Sequence, residues 1–148
     1  MDSEGDNEGG GDNVGMMIKV PPRRTVLHYH GDEVRVLFLV SAVLLIIAQS
    51  TGANLPLSTF GAVTSAVILV IAGGITNPAQ SGIHWLNAVL SLVGTLLFCT
   101  TAIDHYRSGL SIFEPSFMYV EALALLSLVA LYFTTRTIRG DIQRPKLI

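Results

Sequence analysis

Four apolar runs, separated by short breaks rich in polar residues, glycine or proline, make up most of the chain. Charged residues stop at Arg35 and do not return until Asp104. A soluble helix or strand needs a wet face, so the solvent this pattern predicts is lipid. The runs place spans at 34–53, 57–75, 83–103 and 117–135. At 1.5 Å per residue, about 20 residues cross a hydrocarbon core of roughly 30 Å. The last three runs meet that length directly, and the first reaches it by extending past Ser50 toward Asn54. Gly52, Asn54 and Pro56 then supply a stop and a restart, and Gly73-Gly74 helps to end the second run. The alternating ten-residue segments of a membrane barrel are missing. The predicted fold class is all-α: an integral membrane bundle of four transmembrane helices behind a disordered acidic N-terminal tail.

Composition agrees with this division. Only 14% of the residues are charged against 50% hydrophobic, where a soluble domain carries about a quarter charged. Residues 1–15, MDSEGDNEGGGDNVG, hold five acids and no base, and they lack the apolar surface to offset their ordering entropy. Residues 16–33 form a juxtamembrane segment broken by Pro21-Pro22, and 136–148 form a basic tail. No secretory signal precedes the first run, so that span is expected to direct its own insertion. The single cysteine, Cys99, excludes an intramolecular disulfide.

Orientation follows from where Lys and Arg lie. Four spans put both termini on one side, with Lys19, Arg23, Arg24, Arg35 and the tail bases Arg136, Arg139, Arg144 and Lys146. Arg107 alone lies in the connection between the third and fourth spans. The expected location is the cell (inner) membrane, multi-pass, with both termini cytoplasmic. Trp85, Tyr106, Tyr119 and Tyr132 fall near the predicted interfaces, as an aromatic belt requires.

The stretch GGITNPAQSGIHW contains Asn77-Pro78-Ala79, the tripeptide that water channels place at the pore. Those channels use two copies on half-helices that meet at mid-membrane, where helix-end dipoles repel cations. One copy stands here, between two complete spans. Capping explains it: Asn77 suits the N-cap, Pro78 the first helical position, and Gln80 the third, from which it reaches back in a capping box. With its flanks, this segment and the exit LYFTTRTIRG resemble small uncharacterised bacterial four-span membrane proteins with a Thr-Asn-Pro-x-Gln loop. The resemblance covers roughly residues 30–140 and implies the fold, with no activity to carry over.

Polar residues inside the runs are the remaining candidates, because ionisable groups at mid-membrane cost about 2.5–3.5 kcal/mol and are functional by default. Glu121 is the single carboxylate, set toward the outside of the fourth run and within reach of pairing with Arg107 or His105. Level with it lie Gln49 and Cys99, so a buried polar cluster, if formed, is Gln49–Cys99–Glu121. Asn87, Ser91 and Thr95 recur every four residues and form one helix stripe, suited to interhelical hydrogen bonds or to lining a polar path. Small pairs in the second run, Gly61/Ser65 and Ala62/Ala66, favour close backbone packing. The four histidines fall at different depths and predict no paired haem or metal ligands.

No nucleophile–base pair, phosphate loop or metal-spaced cluster appears in the sequence. The expected role is therefore non-enzymatic: a structural, assembly or accessory membrane component with no cofactor. Its expected partners are the lipid bilayer and either further copies of itself or a larger membrane complex, not nucleic acid. The alternative is a small oligomeric proton-coupled transporter using Glu121. Four-span multidrug exporters resemble this chain in size, but their coupling carboxylate sits in the first helix. The charge bias predicts that reporter fusions after Ile148 and within residues 1–20 both read cytoplasmic while one at Ser108 reads external. A cytoplasmic reading at Ser108 removes the four-span arrangement.

Overall fold

The computed structural model describes residues 31–76 and 81–143. Every regular element among them is an α-helix: α1 (Gly31–Ser50), α2 (Thr59–Ile75), α3 (Ser81–Arg107) and α4 (Pro115–Ile142). Three of these, α1, α3 and α4, are long and apolar enough to cross a membrane, while α2 is a shorter apolar helix of 17 residues. The expected runs are thus present as helices, with shifted ends. The first ends at Ser50 rather than near 53, and α4 continues through Arg136 and Arg139 into the stretch expected to be a basic tail. A helix does not stop where hydropathy stops; it stops where the backbone is broken or capped.

The caps are visible. Beyond α1, Gly52 adopts φ +73°; its N–H donates to the Gln49 carbonyl, and that of Ala53 donates to Ala48. Beyond α3, Gly109 adopts φ +78°, with N–H bonds from Gly109 to Tyr106 and from Leu110 to His105. Both are Schellman endings, in which a left-handed residue satisfies carbonyls the helix leaves free. α2 starts on Ser58, whose Oγ accepts from the Gly61 N–H at 3.2 Å, and α4 starts on Pro115, whose missing N–H costs nothing at the first position.

Packing joins the helices into two antiparallel hairpins, α1–α2 and α3–α4, held together along α1 and α4. α2 and α3 scarcely touch. We call the end holding the α1–α2 and α3–α4 turns the far end, and the other the near end. A far-end cluster packs Leu45, Phe98, Val120 and Leu123 around the small residues Ala62, Ala66 and Ala102. A near-end cluster packs Val34, Phe38, Ala72 and Ala130. Large apolar side chains such as Val43, Val67, Val89 and Leu125 cover the outside. On a soluble protein they would form an aggregating patch; against lipid tails they are solvated.

Small residues set the spacing, as the paired small positions of the second run suggest. Ala62 and Ala66 are buried. Gly73 does not end α2, which runs on to Ile75. Instead it lets α2 lie against α1: a Cβ there would sit 3.5 Å from the Arg35 carbonyl oxygen and 3.8 Å from Phe38 and Leu39. Gly94 does the same for α3 and α4, because a Cβ would fall 2.7 Å from Ser127 Oγ and 3.3 Å from Ser127 Cβ. Gly94→Val should therefore overpack this crossing and destabilise the fold by about 1–3 kcal/mol. Pairing it with Ser127→Gly should recover part of that loss. Thermal unfolding of both variants in lipid–detergent micelles measures the pair; additive losses would show that the two residues do not share the crossing.

Candidate functional site

The weak α2–α3 contact leaves a cavity of about 260 Å³ at the middle of the helices, between the two packed clusters. Its floor comes from buried side chains of α1, α3 and α4, among them Phe38, Leu45, Phe98 and Leu123. Its mouth lies between α2 and α3, where the lining residues Ile68 and Val93 are 44% and 56% exposed. The opening therefore faces sideways, toward whatever surrounds the bundle. No charged residue lines the cavity. Among the described residues its hydroxyl-bearing lining is Ser41, Ser65, Ser91 and Ser127, one from each helix. Of these, only Ser91 belongs to the stripe expected from the sequence. The signal that could have found the set is one serine near the middle of each apolar run.

The stripe itself is divided in its bonding. Asn87 is 1% exposed, and its Nδ2 donates to Thr76 Oγ1 at 3.1 Å, across the gap to the end of α2. Thr76 Oγ1 in turn donates to the Ala72 carbonyl at 2.7 Å. Ser91 and Thr95 do not reach another helix. Their hydroxyls donate to the carbonyls of Asn87 and Ser91, each at 2.7 Å, four residues back on α3. A helix in lipid offers these carbonyls as the nearest acceptors. Of the expected interhelical bonds, the one at Asn87 is formed, and Asn87 Oδ1 is left buried without a partner. Arg35 adds a second tie at the near end, its Nε donating to the Gly73 carbonyl at 2.9 Å. Its contact with Asp32 at 3.6 Å is exposed and contributes little.

Gln49, Cys99 and Glu121 are not joined to one another by hydrogen bonds among the described residues. Gln49 Nε2 donates to Thr59 Oγ1 at 3.0 Å, which fastens the α1–α2 turn. Cys99 is half-buried and packs against the far-end cluster. Glu121 is half-buried on α4 and does not line the cavity. Its expected pairing with Arg107 or His105 does not form: no such contact lies within ion-pair distance among the described residues. His105 is buried on α3 with Nδ1 unpartnered, and Arg107, the last residue of α3, is exposed. The Gly94–Ser127 crossing fixes the register of the hairpin. From it Asn87 and Glu121 lie in opposite directions, about 20 Å apart along the axis, too far to share a site. His84 and His105, both buried, sit about 30 Å apart along α3. The cap expected of Asn77, Pro78 and Gln80 lies outside the described residues.

A double-mutant cycle isolates the tie across the α2–α3 gap. Asn87→Ala and Thr76→Val should couple by about 0.6 kcal/mol, and by no more than about 1.7 kcal/mol, the range of transmembrane hydrogen bonds. Zero coupling in reversible unfolding would mean that the 3.1 Å contact holds nothing together. No family model matches this chain, and neither a curated protein nor a solved structure is significantly similar to it.

Proposed function

We propose that the chain is a four-span protein of the cell (inner) membrane, both termini cytoplasmic, acting without enzymatic chemistry as a structural, assembly or accessory component. It would do so as a homo-oligomer or within a larger membrane complex. The observation that supports this reading is the makeup of the central cavity. It is lined by apolar side chains and four serines, and the one carboxylate of the apolar runs, Glu121, lies outside the lining. A proton-coupled path needs its titrating group on the path. In this reading α2 is the fourth span. At about 25 Å it is shorter than the roughly 30 Å core, and a short span is accommodated by local thinning of the bilayer.

One observation favours the rival reading, a small oligomeric transporter coupled through Glu121. That carboxylate is half-buried and makes no hydrogen bond or ion pair among the described residues. The two readings part at a single substitution. Glu121→Gln keeps shape and hydrogen-bonding capacity but cannot carry a proton. It should leave expression, assembly and cell phenotype near wild type, whereas Glu121→Lys should impair insertion because a cation in hydrocarbon is costly. Proteoliposome flux assays across a pH gradient decide the matter. A Glu121→Gln variant that folds normally yet abolishes a proton-coupled flux establishes the transporter.

A further inference from the structure

In a helix surrounded by lipid, a serine or threonine hydroxyl ordinarily donates to the carbonyl three or four residues back. This chain follows the rule along α3 and α4: Ser91, Thr95, Thr100, Thr101, Thr134 and Thr137 all do so. Ser41, Ser65 and Ser127 do not. They make no hydrogen bond among the described residues, and all three line the central cavity. Among the serines and threonines whose side chains are described, Thr64, on the exposed face of α2, is the other one without a hydrogen bond. Ser41 is only 6% exposed. Asn87 Oδ1 and His105 Nδ1 are the sealed side-chain atoms without a partner among the described residues; the three serine hydroxyls are instead open to the cavity, where an occupant can reach them.

We propose that the cavity is a binding site for an uncharged, lipid-soluble carbonyl compound, a ketone or quinone with a slender apolar body. The inference rests on the membrane placement proposed above. Four features select this chemistry. The mouth between Ile68 and Val93 opens sideways, so a ligand dissolved in the bilayer enters without crossing water. The lining carries no charge to pair with a charged ligand, and a charged group at this depth would be costly. The three hydroxyls give their donors to no group of the chain among the described residues, so each can donate to an acceptor on a ligand. The volume, about 260 Å³, lies just below the usual lower bound of roughly 300 Å³ for small-molecule pockets. It admits a ring or a short length of chain and excludes a helix, whose diameter is about 10 Å.

Benzophenone tests this directly, being a lipid-soluble ketone that crosslinks to neighbouring C–H groups on illumination. The full chain is reconstituted in liposomes, labelled, and the modified residues are mapped by mass spectrometry. Labelling should concentrate on cavity residues such as Leu69, Leu90 and Leu97 above that on the outward-facing Val43, Val67 and Leu125. A medium-chain aliphatic ketone should compete with cavity labelling, and the matching alkane should not. Replacing Ser41, Ser65 and Ser127 by Ala should lower cavity labelling by about threefold or more, the factor carried by one transmembrane hydrogen bond of average strength. Ser41→Ala alone serves if the triple variant fails to fold, and Ser65→Leu should block the cavity while leaving outward labelling unchanged. Labelling no higher in the cavity than outside overturns the site. Equal competition by alkane, or hydroxyl-free variants that label like wild type, overturns carbonyl recognition. Outward labelling reports on membrane placement by itself, so loss of that placement is told apart from failure of the site.

Discussion

Hydrocarbon offers no partner to a backbone amide, and from that constraint most of this structure follows. Each amide must be satisfied within its own segment, which leaves helices as the solution for single apolar runs. Helix ends cannot be satisfied that way, so they carry the special residues: Gly52 and Gly109 at left-handed positions, Ser58 as an N-cap, Pro115 at a first position. Side-chain hydroxyls obey the same rule. Most fold back onto their own helix, which is why Ser91 and Thr95 spend their donors locally. Specific contacts between helices are then few, and they fall where a donor escapes: Asn87 to Thr76, Gln49 to Thr59, Arg35 to Gly73.

The helices were legible in the sequence because lipid leaves a one-dimensional trace: no charge from Val36 to Ile103, with breaks at Gly, Asn and Pro. Which helices touch was not, since lipid-facing and helix-facing positions are equally apolar. Val93 and Leu97 read alike in sequence, yet one is exposed at the mouth and the other half-buried. Depth was readable from residue counting: Glu121, set toward one end of its run, lies on the far-end side of the Gly94–Ser127 crossing. Partner choice was not. Gln49 shares a predicted depth with Glu121 but bonds Thr59, its neighbour across a tight turn, because a residue ten positions away in a hairpin is closer than one on a separate helix. Gly73 shows the same limit: it has the look of a helix end, and its use as a contact appears only once α1 lies beside it.

The open α2–α3 edge gives the molecule its asymmetry. Packing that closed this edge would bury Ile68 and Val93 and eliminate the cavity. With it open, the floor is flanked by the far-end and near-end clusters on both sides, and the opening lies between α2 and α3. Among the described residues the hydrogen bond from Asn87 to Thr76 ties that edge at the near end, and the cavity opens farther along it.

The arrangement as two hairpins also dictates how the molecule comes together. Within each hairpin the partners are joined by a short connection, so α1 meets α2, and α3 meets α4, at little cost in loop closure. The seam along α1 and α4 is different: Val34 and Phe38 must find Ala130, nearly the whole described chain away. Closing so long a loop is entropically costly before its contacts form. In the four-span placement proposed above, this makes assembly a lateral docking of two hairpins within the membrane plane, with the apolar seam along α1 and α4 as the surface that has to match.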